Sequence, residues 1–243
     1  MTETAINRRD LLAASAVLGA AATLPAAAAA QALPAAITGG MAFAPAPLPL
    51  PFDPKAITGL SEKLLVSHHD NNYVGAVKRI AAITAQFAAL DPATAPGFLL
   101  NGLKREELLA MNSMVLHEVY FSQFGTPGRP GQQLAAAIER DFGSEARWRA
   151  EFSGMGKALG GGSGWVMLAW SPRGVNGHGR LVNTWAADHT MTLAAGTPIL
   201  VLDMYEHAYQ MDYGARAAAY VDAVMAALDW RGADARFAGL SRS

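Results

Sequence analysis

Apolar positions recur at helical spacing in the first half of the chain and alternate or run together later. Behind Ser61, Leu64, Leu65, His68, Val74 and Val77 form one stripe that continues to about Ala89, where Asp91-Pro92 stops it. Ser61 suits an N-cap, with acidic Glu62 in the first turn. A second stripe, Leu108, Met111, Val115, Val119 and Phe121, begins near Lys104-Arg105-Glu106-Glu107. Thr126-Pro127-Gly128-Arg129-Pro130-Gly131 then breaks the pattern, which predicts a domain boundary. Gln132 to Phe142 and Ser144 to Phe152 are helical again. Trp165 to Trp170, Arg180 to Trp185 and Thr197 to Leu202 read as strands, with a hairpin-like turn cluster over Ser171 to Gly179. Helix returns through Tyr220 to Trp230. The pattern predicts an α+β protein: a helical hairpin domain, then an α/β domain with a small antiparallel sheet of about three strands flanked by helices.

The first thirty residues have a different character. Arg8-Arg9 precede the short, alanine-dominated apolar stretch Leu11 to Leu24, and Ala28-Ala29-Ala30 offers a small-residue cleavage site. Residues 1–30 are therefore expected to be a twin-arginine export signal, which implies a periplasmic or otherwise exported protein and no stable membrane insertion of the mature chain. Pro45, Pro47, Pro49 and Pro51 forbid a helix, so 31–47 reads as a linker.

Composition narrows the chemistry. The net charge of -1 argues against a nucleic-acid partner. There is no cysteine, which excludes disulfides, thiol catalysis and sulfur-ligated metals, so any metal must be held by His, Asp or Glu. The glycines at 160–162 and 164 precede strand-like sequence and lack a following Lys-Ser/Thr, so they do not make a phosphate loop.

What remains is a set of histidines and one acid. Asp203 stands where the apolar run from Thr197 ends, and His207 follows four positions on, a possible pair of metal ligands. Taken alone, that spacing is more often a solvated helical pair. Likewise His68 alone is an ordinary core histidine, His117 beside Glu118 an exposed helical pair, and His189 a polar loop residue.

Asp203-Met204-Tyr205-Glu206-His207-Ala208-Tyr209 resembles the D-x-W-E-H-A-[YF] word of the iron/manganese superoxide dismutases. Leu50-Pro51-Phe52 resembles that family's opening, placing the start of the folded domain near 48, with a helical domain over 48–127 and an α/β domain over 128–243. Asn112 to Phe121 resembles the helix carrying the second ligand, and Gly162-Ser163-Gly164-Trp165 the word whose Trp lines the metal cavity. The resemblance implies superoxide as substrate and one iron or manganese ion per subunit, with ligands His68, His117, Asp203 and His207. It implies that His189 holds the metal's solvent, that Trp165, Tyr120 and Tyr205 form a dry wall, and that the protein is a homodimer in which Glu206 reaches the partner's His207. Several positions depart from the family. Tyr205 replaces Trp, Ser113 a glutamine, Tyr73 a histidine and Ala76 the tyrosine at the substrate entrance. Asn72 and Gln210 replace a histidine and a tyrosine that pair with each other, and two amides could still do so. Two further readings use the same residues: a catalytically weak, dismutase-like metal-binding protein, and a non-haem iron oxygenase holding its metal through two His and one carboxylate.

Overall fold

The computed structural model describes residues 43–174 and 178–240; the export signal and most of the predicted linker lie outside them. The described residues form one compact unit. Its helices are α1 (Glu62–Ser67), α2 (Val74–Ala88), α3 (Gly97–Phe121), α4 (Gln132–Phe142), α5 (Glu145–Ala158), α6 (Gln210–Tyr213), α7 (Ala217–Ala226) and α8 (Arg231–Leu240). The strands are β1 (Trp165–Ser171), β2 (Arg180–Ala186) and β3 (Thr197–Asp203), antiparallel in the order β2-β1-β3. This is the α+β arrangement that the hydrophobic pattern predicts.

Ser61 caps α1 by accepting from the Leu64 N–H, and its own N–H and hydroxyl both donate to Asp212 of α6 at 2.7 Å. The single helix expected from Ser61 to Ala89 is interrupted by a π-helical turn, His68–Tyr73, in which the Val74 N–H reaches back five residues to the His69 carbonyl. At roughly 100° per residue, a regular helix would set His68 and Tyr73 about 140° apart. The wider turn lets both rings bury, and such turns cluster at functional sites. The second helix also differs from its expected start: Pro96 stands at its N-cap, so α3 begins at Gly97, about two turns before Lys104.

The sheet register fixes the neighbourhood of Asp203. Trp165, first residue of β1, lies opposite Asp203 on one side and Ala186 on the other. Gly164 just before it has φ 143°, and a Cβ there would meet the Ala186 carbonyl oxygen at 2.1 Å, so the close approach requires glycine. On the far side of the sheet, α5 packs against β3 at Gly156, where a Cβ would meet Leu202 at 2.4 Å.

β3 is an edge strand, and side chains occupy its outer edge. The buried Gln123 amide donates to the Val201 carbonyl at 2.7 Å and accepts from the Val201 N–H at 3.2 Å, while Arg236 donates to the Ile199 carbonyl at 2.8 and 3.0 Å. They take the place of a fourth strand. Gln123→Leu leaves two buried main-chain groups unpaired, at about 1–3 kcal/mol each. The expected outcome is a loss of about 2–6 kcal/mol in unfolding free energy, read from urea melts of the metal-loaded protein; an unchanged midpoint would contradict the edge role.

Candidate metal centre

Four side chains from separate stretches converge. His68 opens the π-helical turn, His117 lies near the end of α3, Asp203 ends β3 and His207 belongs to the 3-10 turn Glu206–Ala208. One nitrogen or oxygen from each falls within 4.8 Å of all the others. Asp203 Oδ2 is the shared corner, 3.1 Å from His68 Nε2, 3.3 Å from His207 Nε2 and 3.7 Å from His117 Nε2. Two ligands each about 2.1 Å from one ion stand roughly 3.0 Å apart at a right angle and roughly 3.6 Å apart at 120°. The three separations are those of neighbours around one ion.

The orientation of the nitrogens supports the same reading. His68 Nε2, although close to Asp203, is not in hydrogen-bonding geometry with it, and neither this nitrogen nor His117 Nε2 has a hydrogen-bond partner despite full burial. Buried polar atoms without partners are rare, and these face a common space. His117 Nδ1 lies 2.6 Å from the Ser113 carbonyl oxygen. A carbonyl only accepts, so Nδ1 carries the proton and Nε2 presents its lone pair to the cluster, as a metal ligand requires. Ser113 therefore contributes its main chain, a role invisible in a sequence comparison of side chains.

Charge fits as well. Burial lowers the pKa of His68, and it pushes that of His117 down to about 3, so both rings are neutral at ordinary pH. Burial alone would raise the Asp203 carboxyl, but the His207 and His68 side chains beside it hold it well below the usual carboxylate range. Three neutral imidazoles and one carboxylate suit iron, manganese or zinc.

Aromatic rings enclose the cluster. Trp165 meets His117 edge-on at 5.2 Å between centroids, Tyr120 and Phe121 lie 5.0 and 5.1 Å from His68, and Tyr205 stacks on His207 at 5.4 Å and 15°. Beneath them, the Tyr220 hydroxyl donates to the Asp203 carbonyl at 2.8 Å and so accepts from the Tyr120 hydroxyl at 3.1 Å. Tyr220 escapes a sequence reading; its only signal is one polar-tipped aromatic on the alanine-rich α7.

His189 follows β2, its carbonyl held by the Asn112 amide at 2.5 Å. It lies outside the four-residue group and lines a cavity of about 250 Å³ together with Asn72, Ala76, Arg79 and Ser113. Its Nε2 is buried without a partner, and burial lowers its pKa. Tyr73 points elsewhere, donating to Glu118 at 3.0 Å and accepting from the Leu48 N–H at 2.9 Å. Glu206 and Gln210 are exposed on the surface of the chain, and no hydrogen bond joins Asn72 to Gln210 within it.

Residues 130–236 match the family described as iron/manganese superoxide dismutases, C-terminal domain, and residues 5–25 match the twin-arginine translocation pathway signal sequence. A superoxide dismutase [Fe] of Cupriavidus metallidurans is 64% identical over 194 residues, covering 80% of this chain and 96% of its own. The chain belongs to the iron/manganese superoxide dismutase family. A superoxide dismutase [Mn] 1 of Halobacterium salinarum is 30% identical over 78% of this chain and 92% of its own, and a superoxide dismutase [Mn/Fe] of Propionibacterium freudenreichii subsp. shermanii is 30% identical over 77% and 94%. Dismutases named for iron, for manganese and for both thus align with it, and its signal sequence directs it to twin-arginine export.

The depressed histidines set an acid limit for the metal-free protein. The unfolded chain takes up a proton at each near pH 6.5, whereas the folded chain resists until about 3 at His117. The unfolded state then binds more protons, so stability is full above about 6.5 and declines as pH falls from there. Asp203, ionised in the folded state, adds a second loss below about 4. Urea midpoints of the metal-free protein should fall steadily from pH 7 to 4; a flat profile would show that these histidines are not buried neutral.

Proposed function

We propose that this protein disproportionates superoxide at a single iron or manganese ion held by His68, His117, Asp203 and His207, after export to the periplasm. The observation that carries this reading is the Asp203 corner, with three histidine nitrogens at the spacing of ligands around one ion. The 64% identity to a dismutase named for iron supports the same activity. When bound, the ion supplies the one-electron cycle, taking an electron from one superoxide and returning it to a second, so that two superoxides and two protons give oxygen and hydrogen peroxide. Asp203 leaves a trivalent ion with a net charge near +2, which favours an anionic substrate.

The remaining residues position and exclude. His189 faces the open side and offers a hydrogen bond to a water or small anion there. Trp165, Tyr120 and Tyr205 keep bulk water from the ligands, and a dry surround strengthens each interaction inside it. Glu206, exposed in the single chain, pairs in a homodimer with the partner's His207 and orients that ligand. Asn72 and Gln210 face one another across the same interface. Within the folded unit, 48–127 and 128–243 act as two domains: His68 and His117 come from the first, Asp203 and His207 from the second.

The oxygenase reading needs only two His and one carboxylate. The four-atom cluster and the dismutase relatives favour dismutation instead. Purified mature protein is expected to carry one iron or manganese per chain and to disproportionate superoxide well above a metal-free control, with Asp203→Ala losing both properties. Bound metal with a rate no better than buffer would sink the proposal. For the dimer, Glu206→Ala should shift sedimentation from two chains toward one; an unchanged profile would remove Glu206 from the interface.

A further inference from the structure

The loop after β2 and the turn after β3 meet at one hydrogen bond. Tyr205 Oη lies 2.9 Å from His189 Nδ1, with the rings 5.0 Å apart. The same tyrosine stacks on His207, and its N–H donates to Asp203 Oδ1 at 2.9 Å. One residue thus touches two of the metal-binding side chains and the histidine beside them. A tryptophan, which the family word has at this place, carries its donor on an indole ring nitrogen and has no hydroxyl.

The proton on His189 can be assigned. A neutral imidazole holds a single proton, on Nδ1 or on Nε2. A phenol keeps its proton near neutrality, so the Tyr205 hydroxyl has a hydrogen to donate. His189 Nδ1 is the one hydrogen-bond partner of that hydroxyl among the described residues. Were Nδ1 protonated, it would donate to the Tyr205 oxygen, and the phenol hydrogen would lose its one acceptor among the described residues. With Nδ1 accepting, both groups are satisfied. The proton then sits on Nε2, the nitrogen that is buried without any partner.

We propose that Tyr205 is a positioning residue: its hydroxyl donates to His189 Nδ1 and locks His189 in the form whose Nε2–H donates into the metal cavity. The bond offered there goes to an anion or water beside the ion, and this rests on the dismutase reading above. Loss of the charge-assisted bond that Nε2–H gives to an anion lowers anion affinity about tenfold or more.

Neutron diffraction from crystals of perdeuterated, iron-loaded protein reads the lock directly. Deuterium is expected on Tyr205 Oη and His189 Nε2, and deuterium on His189 Nδ1 would overturn the proposal. A solution test uses azide as the anion. Tyr205→Phe, which removes the donor, should weaken azide binding to the iron protein about tenfold. In a His189→Gln background, where there is no tautomer to lock, Tyr205→Phe should cost nothing further. Equal losses in both backgrounds would show Tyr205 acting only as packing. Should the iron protein fail to disproportionate superoxide, the activity is wrong, while the deuterium positions and the azide cycle still decide the lock.

Discussion

The fold is arranged around a buried carboxylate. Asp203 is wholly removed from water at the end of β3, and an isolated charge there would cost several kcal/mol. Three histidine nitrogens gather within 3.7 Å of its Oδ2, and the Tyr205 N–H holds Oδ1. The main chain of Asp203 is also held, because Tyr220 donates to its carbonyl and Tyr120 donates to Tyr220. His68 and His117 are neutral, so they do not cancel its charge. A cation completes the set, and the site is therefore both the function of the protein and a condition of its stability.

Holding that carboxylate in place requires elements distant in sequence to agree. The β1–β3 register sets Trp165 beside Asp203, and glycine at 164 allows the neighbouring strand to come close enough. α3 carries His117 and leads into Gln123, whose amide hydrogen-bonds the main chain of β3 two residues before Asp203. Any slip of β3 past Gln123 would therefore move the acid away from the histidine on the adjoining helix. The side-chain cover on the edge of β3 is in this sense part of the metal centre's geometry.

The four residues that cluster each lie in a word whose neighbours constrain it: an acid after a buried strand, a histidine on an apolar stripe. The strands, α4 and the cap at Ser61 follow from the same periodicities. Other features had no such signal. The π-helical turn at His68–Tyr73 changes the hydrogen-bond pattern without changing the residue types that a helix would use. The start of α3 was missed because Phe98, Leu99 and Leu100 follow Pro96 with little polar punctuation, and the charged cluster at Lys104 looked like a first turn. Ser113 reads as a lost glutamine, yet its carbonyl is what orients His117. The contact between Tyr205 and His189 joins residues sixteen apart through a loop, and no periodicity encodes that meeting.

The departures from the family word also make chemical sense together. The cavity beside the cluster is lined by Asn71, Asn72, Gly75, Ala76, Arg79, Leu109, Ala110, Ser113 and His189. Amides, glycine, alanine, leucine and serine do not exchange protons near neutrality, and an arginine stays charged. His189 is thus the one side chain of this cavity able to hold a proton in either of two places. With alanine at 76 in place of the entrance tyrosine, nothing else on that wall can present a titratable hydrogen. A histidine standing alone in this way needs its tautomer specified, or half its population would present a lone pair to an incoming anion. The hydroxyl at 205 supplies that specification from behind, on the side facing away from the cavity, and it is the substitution of tyrosine for tryptophan that makes it available.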